Sequence, residues 1–277
     1  MRSTEPLVSV VTPSFNYARY IRRCLESVRD QTYPHIEHIV LDNCSTDGTG
    51  EILRTFEGRP GFQAIIEKDR GQSHALNRGF ARAQGDIFCW LNADDFYLDS
   101  RVIAAAVARL QSSGADLVAG GGHIVDANDR VGDRIHVDPE RAASGLRYWD
   151  TFLQPATFWR RSVHRPLRED LHYAFDWLLF AGMVRGGGRL VVADEPWAAY
   201  RLHGSGKTQA DPARRRAEIA EVLSAHFGSL SPQHLWARLV WAGYRVSELT
   251  GLRVVKSTAA RADDLIRRLT HRRVGSS

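Results

Sequence analysis

Hydrophobic positions in the first 120 residues switch repeatedly between two periods. Leu7 to Val11 is a short β-branched run that stops at Thr12-Pro13, and Ala18 to Arg29 then places Ile21, Leu25 and Val28 at helical spacing. Ile36 to Leu41 predicts a second strand, ended by Asp42-Asn43. The helix predicted over Thr46 to Phe56 has Ile52, Leu53 and Phe56 as its apolar positions and Ser45 or Thr46 as N-cap. Phe62 to Ile66 follows as a strand, then Ser73 to Gln84 as a helix closed by Gly85 at C′. Asp86 to Leu91 is almost wholly apolar, as a strand covered on both faces should be. A helix over Val102 to Leu110 and a strand over Asp116 to Ala119 complete the series. Strands alternating with helices predict an α/β fold, with a mostly parallel, Rossmann-like sheet flanked by helices and joined by right-handed crossovers.

Beyond residue 120 the pattern changes. Ile124-Val125 and Val131 to Ile135 flank Asn128-Asp129, which predicts a hairpin turn. Tyr173 to Arg185 reads as a helix ended by Gly186 to Gly188, and Leu190 to Ala193 as a strand. From Ala213 the chain reads as two or three helices, broken near Gly228, Pro232 and Gly251. The expected domains are therefore residues 1–210 and a helical C-terminal appendage, 211–277.

Composition narrows the class. Of 277 residues 43% are hydrophobic and 25% charged, which is globular and excludes collagen-like or disordered chains. Cys24, Cys44 and Cys89 are far apart and odd in number, so neither a CxxC metal or redox pair nor a disulfide framework is supported. Met1 to Pro6 is polar, the apolar run after it is too short for a signal segment, and no stretch is long enough to span a bilayer. The expected location is cytoplasmic. Net charge is +5, but residues 212–277 hold twelve Lys and Arg against five Asp and Glu, so the body is slightly acidic. A basic stripe with interleaved aromatics is missing from the body, which argues against a nucleic-acid partner.

In open parallel sheets, ligands bind beyond the carboxyl ends of the strands. Those ends read Thr12-Pro13-Ser14-Phe15-Asn16, Asp42-Asn43-Cys44-Ser45-Thr46-Asp47-Gly48, Asp69-Arg70-Gly71 and Asn92-Ala93-Asp94-Asp95. Helix capping explains Ser45 and Asp47. It does not explain Asp94-Asp95, two adjacent carboxylates after an apolar strand, which repel each other unless a cation intervenes. Such a pair suits Mg2+ or Mn2+, with diphosphate oxygens as the remaining ligands. The dinucleotide glycine fingerprint, the P-loop and the GxSxG elbow are all absent, leaving a nucleotide-diphosphate site of another kind.

These residues resemble a family 2 glycosyltransferase of GT-A fold. The resemblance rests on Val8-Ser9-Val10-Val11-Thr12-Pro13-Ser14-Phe15-Asn16, Ser27-Val28-Arg29-Asp30-Gln31-Thr32-Tyr33-Pro34 and Asp42-Asn43-Cys44-Ser45-Thr46-Asp47-Gly48-Thr49. It continues through Asp69-Arg70-Gly71-Gln72-Ser73, Asn77-Arg78-Gly79, Trp90-Leu91-Asn92-Ala93-Asp94-Asp95, Gln154-Pro155-Ala156-Thr157-Phe158, Asp176 and Tyr200-Arg201-Leu202-His203. What it implies is a metal-dependent, inverting transfer of a sugar from a nucleotide-diphosphate donor, UDP first, to a saccharide or lipid-linked saccharide acceptor, in bacterial polysaccharide or glycolipid synthesis. Thr12, Pro13 and Phe15 would line the base pocket, and Asp42 would hydrogen-bond the base. Asp69 and Asn77 would contact the nucleoside and the loop before the metal site, and Asp94 and Asp95 would be the metal-binding acids. Arg201, His203 and Lys207 would reach the diphosphate, and Asp176 would be the catalytic base. The chain departs from the family pattern at Asn92, Phe175 and Leu178, where relatives carry a first Asp, an acid or Met, and a companion acid.

Two other readings follow from the same residues. A sugar-phosphate nucleotidyltransferase would want a Gly-rich basic loop after the first strand, which Thr12 to Arg19 is not. A non-catalytic nucleotide-sugar-binding subunit follows if Leu178 and Phe175 mark a lost base. Trp159, Trp177 and Trp197 are candidates for either core packing or acceptor-sugar platforms. The basic, aromatic tail (Arg214-Arg215-Arg216, Trp236, Trp241, Tyr244) is open to peripheral contact with the inner face of a membrane, or to packing on the body or in a homodimer.

Overall fold

In a computed structural model of the chain, the structure describes residues 5–140, 142–146, 151–204 and 211–227. Two compact units emerge, Met1–Pro212 and Ala213–Ser277.

The first unit is built on one sheet. Strands β1 (Val8–Ser14), β2 (Ile36–Asp42), β3 (Phe62–Ile66) and β4 (Ile87–Trp90) pair in parallel, with β1 between β2 and β4. Every residue of β1 and β4 is buried; β4 is wholly apolar, whereas β1 also buries Ser9, Thr12 and Ser14. Helix α1 (Ile21–Arg29) covers this half with Ile21, Cys24, Leu25 and Val28, a stripe at i, i+3, i+4 and i+7. Helix α3 (Gln72–Arg82), which follows the short α2 (Thr49–Arg54), lies close on the sheet because residue 79 is glycine. A Cβ there would sit inside contact distance of Val11 and 2.8 Å from Leu41 Cδ2.

Connections from β1 run toward β3 on one side, while β4 lies on the other. The strand order therefore reverses between β1 and β4, and such a switch point opens a crevice at the carboxyl ends.

The second half of the sheet mixes directions. Its members are β5 (Phe96–Tyr97), β6 (Leu117–Val125), β7 (Val131–Ile135), β8 (Thr157–Arg160) and β9 (Leu190–Arg201), and the order is β3-β2-β1-β4-β8-β6-β9-β5 with β7 on β6. β8 is antiparallel to both β4 and β6, and β6 is parallel to β9. Helix α4 (Val102–Ser113) ends at Gly114 with φ 63°, and the short α5 (Ala142–Gly145) and then α6 (Phe175–Arg185) follow.

Four expectations need amendment. Helix α2 starts at Thr49 behind Gly48, whose φ is 98°, and not behind Ser45 or Thr46. Gly85 is not a helix cap, since α3 stops at Ala83 in extended conformation. Its small size serves the sheet instead, because a Cβ would meet Ser9 N at 2.8 Å and Leu7 O at 2.9 Å. β6 does not stop at Ala119 but runs on through Gly120-Gly121-Gly122, where Trp197 and the Ala198 carbonyl of β9 press too closely for any side chain. β9 likewise continues past Ala193 to Arg201, shifting register against β6 where the glycines lie.

Of the second unit the structure describes α7 (Pro212–Phe227), in which Glu218, Val222 and Leu223 are buried. The further helices expected beyond it lie outside the described residues.

Candidate active site

A cleft of about 430 Å³ opens at the switch point, between the carboxyl ends of β1 and β4. Its β1 wall is Pro13, Ser14 and Phe15, with Phe15 half exposed. Ser14 is buried, and its hydroxyl has no hydrogen-bond partner among the described residues. The neighbouring loops are cross-tied. Asn16, in the left-handed region at φ 59°, accepts from Thr46 N at 2.9 Å while its own N–H reaches Ser45 Oγ at 2.8 Å. Asn43, in the wall, accepts from Asp69 N at 2.9 Å, and Asp69, also in the wall, accepts from Gly71 N at 2.8 Å.

The β4 wall holds the carboxylates, and both residues line the cleft. Asp94 faces the cleft, 3.0 Å from His203 Nε2. Asp95 is the more buried, its oxygens accepting from Arg201 N at 3.0 Å and Asn92 Nδ2 at 3.1 Å. Burial, and then the Asp94 charge, push the Asp95 carboxyl well above the usual range. Burial and the same two carboxylates raise the Tyr17 phenol, which lines the cleft beside them. Asn92 is fully used: its Oδ1 accepts from Trp90 Nε1 at 2.7 Å and Gln72 Nε2 at 2.8 Å, and its Nδ2 also donates to Gln154 Oε1 at 3.0 Å. Asparagine can donate to Asp95 where a third carboxylate would repel it, which accounts for the departure from the family pattern here.

Asp176 enters from the far side, in the first turn of α6, and lines the cleft. Phe175 before it stacks on Trp90, rings 5.4 Å apart and 13° from parallel, so the aromatic residue at this position is a packing element.

Several expected site residues are placed elsewhere. Thr12 is buried beneath the wall, its hydroxyl 2.9 Å from His38 Nε2. Burial drives that imidazole down to about 3. Asp42 is buried too, its oxygens accepting from Ser45 N at 2.8 Å and Ser45 Oγ at 2.6 Å. Asn77 does not line the cleft and bonds the backbone of Leu167. Arg201, by contrast, lines the cleft, and its guanidinium also bonds protein. Its Nε donates to Asp94 O at 2.8 Å, its Nη1 to Asp126 O at 2.9 Å, and it pairs with Asp129 and stacks 4.8 Å from the Tyr20 ring. Asp95 and Arg201 both line the cleft, and each is also bonded to protein there. Lys207 lies outside the described residues. Trp159, Trp177 and Trp197 are core residues, not platforms.

Sequence reading missed Tyr17, Gln72, His172 and Tyr173, all of which line the cleft. His172 and Tyr173 lie four and three residues before Asp176, and that proximity was the signal available. Among the described residues no group of three or more His, Cys, Asp or Glu is arranged to hold a metal ion. No described helix is long and apolar enough to cross a membrane.

The family model described as glycosyl transferase family 2 matches residues 9–165. The putative teichuronic acid biosynthesis glycosyltransferase TuaG of Bacillus subtilis is 42% identical over 97 residues, 34% of this chain and 38% of that protein. An uncharacterized glycosyltransferase of Nostoc sp. is 28% identical over 215 residues, 72% of this chain and 65% of its own length. The matches thus span less than two thirds of either relative. Among solved structures, S. aureus TarS 1-349 in complex with UDP-GlcNAc aligns with TM-score 0.66 at 18% identity, over 82% of this chain and 67% of that one. The mannosyltransferase PcManGT of Pyrobaculum calidifontis, in complex with GDP-Man and Mn2+, aligns with TM-score 0.61 at 20% identity, over 95% and 81%. At such identity the likeness shows the fold, an α/β GT-A architecture.

Proposed function

This chain belongs to glycosyl transferase family 2, and from that premise we propose that it transfers a sugar, with inversion, from a UDP-linked or related nucleotide donor to a hydroxyl of a saccharide or lipid-linked acceptor in building a bacterial polysaccharide or glycolipid. The observation that carries the reading is the convergence of the Asp94–His203 pair and Asp176 on one cleft at the switch point of the sheet. Residues 1–210 form the catalytic domain in this reading, and 211–277 the appendage.

Pro13, Phe15, Asn43 and Asp69 line the donor end, where the aromatic face and the polar rim suit a nucleoside. One carboxylate and one imidazole side by side fit a divalent cation with few protein ligands, Mn2+ or Mg2+, so Asp94 and His203 would hold it. When bound, such an ion neutralises charge on the departing diphosphate. The carboxylate of Asp176 takes the proton from the acceptor hydroxyl. That oxygen forms its bond to the anomeric carbon on the face opposite the breaking carbon–phosphate-oxygen bond, and the nucleoside diphosphate leaves. One displacement inverts the centre and needs no enzyme nucleophile. The names of the relatives support a polysaccharide setting and a UDP or GDP donor.

A thermal-shift panel of UDP, GDP and dTDP sugars with and without Mn2+ tests this. We expect stabilisation by one nucleotide class, strengthened by Mn2+ and lost in Asp94→Ala. Asp176→Asn is expected to keep that shift and lose transfer. A wild-type chain indifferent to every donor would refute the proposal.

A further inference from the structure

Asn77 stands in the middle of α3, away from the cleft, and both ends of its side-chain amide are hydrogen-bonded. Oδ1 accepts from Leu167 N at 2.8 Å, and Nδ2 donates to Leu167 O at 2.9 Å and to Glu169 Oε1 at 3.0 Å. Taking both the N–H and the C=O of one residue is what a neighbouring strand does, so this amide fixes the backbone at Leu167 without a strand being there. Leu167 itself is buried. The second oxygen of Glu169 accepts from Arg70 Nη2 at 2.5 Å. Asn77 first, and then Arg70, hold the Glu169 carboxyl below the usual carboxylate range. Arg70 sits between Asp69 and Gly71, both of which line the donor end of the cleft.

The segment pinned in this way leads directly to the other end. Upstream, His164 is packed against Phe80 and Phe88, ring centroids 4.6 and 5.2 Å away. Downstream, His172, Tyr173 and Asp176 line the cleft. Hydrogen bonds therefore run from the donor rim, through Arg70 and Glu169, to the loop that delivers Asp176.

We infer that Asn77 and the Arg70–Glu169 pair are positioning groups for the acceptor end of the cleft: they set where residues 167–176 place Asp176 and couple that placement to the donor rim. The kinetic consequence rests on the proposed role of Asp176; the placement does not. Arg70 is 72% exposed, so its ion pair adds little to global stability, and its loss belongs in local order and turnover.

Hydrogen–deuterium exchange on the full chain, with UDP-GlcNAc hydrolysis in Mn2+ as the kinetic readout, provides the test. In Asn77→Ala, amides of residues 167–176 are expected to exchange about tenfold faster while β1 and β4 are unchanged. Hydrolysis is expected to lose about tenfold in kcat at constant KM for UDP-GlcNAc. Arg70→Ala should show the same pattern more weakly, and Arg70→Lys, which keeps the charge, should recover most of it. Unchanged exchange over 167–176 in Asn77→Ala would overturn the inference. So would a raised KM at constant kcat, because Asn77 would then be a donor contact. If Asn77→Ala does not fold, the Arg70 pair of variants decides, and equal exchange in Ala and Lys variants counts against the coupling. A wild-type chain that leaves UDP-GlcNAc intact would count against the functional reading for that donor alone, because the exchange experiment still tests the positioning.

Discussion

Arg201 ties the Asp94–Asp95 pair to the turn at Asp126 to Asp129. Its N–H holds Asp95, its Nε holds the Asp94 carbonyl, and its Nη1 holds the turn at Asp126 to Asp129. Arg19 reaches the same turn, donating to Ala127 O at 3.2 Å and Asn128 Oδ1 at 3.1 Å. Lysine keeps the charge but presents a point donor in place of a planar fork and cannot make these contacts together. Arg201→Lys is therefore expected to cost about 2 kcal/mol or more, and to raise the Mn2+ concentration needed for donor binding. Urea unfolding and a Mn2+ titration check both; a lysine variant as stable as the wild type would show that the fork is dispensable. A second residue-scale prediction concerns acid. Burial, with Arg161 adding to it, lowers the His164 imidazole to about 4, and burial alone lowers His38 to about 3. Below the ordinary histidine range the unfolded chain binds protons that the folded chain refuses. Stability is thus expected to fall as pH drops from about 6.5 toward 4, by roughly 1.4 kcal/mol per pH unit for each histidine. Asp95, held above its ordinary range, acts with the opposite sign: its contribution favours the fold at low pH and is lost as pH rises. His164→Phe should flatten the acid slope measured by urea midpoints at pH 7 and 5, and an unaltered slope would remove His164 from the explanation.

At the scale of elements, β6 and β9 carry the site, because β9 ends in Arg201 and leads to His203. Their close approach depends on glycine. A Cβ on Gly122 would collide with the Ala198 carbonyl, which is backbone and has no rotamer to retreat to, and Leu153 closes the other side. Gly122→Ala is expected to cost about 3 kcal/mol, and to weaken Mn2+-dependent donor binding by shifting β9. Thermal unfolding beside the donor shift measures both, and a variant with wild-type stability would show that the strands can part. The same glycines explain what the sequence hid. β1 through β4 were legible because each is a short, mostly apolar segment between polar ends, most completely so in the fully buried β4. β6 was cut short at its glycines, and β9 at Asp194-Glu195-Pro196, since both look like breaks when only local propensity is read. β8 has four residues and alternates no polarity of its own, so its pairing with β4 and β6 was invisible. Within the site, Asp94 was legible from its place after an apolar strand. The bond between Asp95 and Arg201 N was not, because it depends on the register of β9 beside β6 and β5, which no local pattern encodes.

Charge is divided unequally over the whole molecule. Residues 212–277 carry a net +7 while the rest of the chain carries −2. Among the described residues of that tail, α7 bears Arg214 and Arg215 in its first turn. A positive segment on a slightly acidic body is attracted to an anionic bilayer where the body is repelled, by about 1 kcal/mol for each basic residue at the surface. Lipid-linked acceptors would lie at that surface. The attraction is electrostatic, so it should fade once the screening length shrinks to about 3 Å near 1 M salt. The full chain is therefore expected to sediment with vesicles of phosphatidylglycerol and phosphatidylcholine at low salt, to be released at high salt, and to ignore vesicles of phosphatidylcholine alone. A 1–211 truncation should remain in the supernatant throughout. If the full chain also stays there at low salt, the tail packs against protein, and sedimentation velocity of the two forms becomes the measurement that identifies a second copy as its partner.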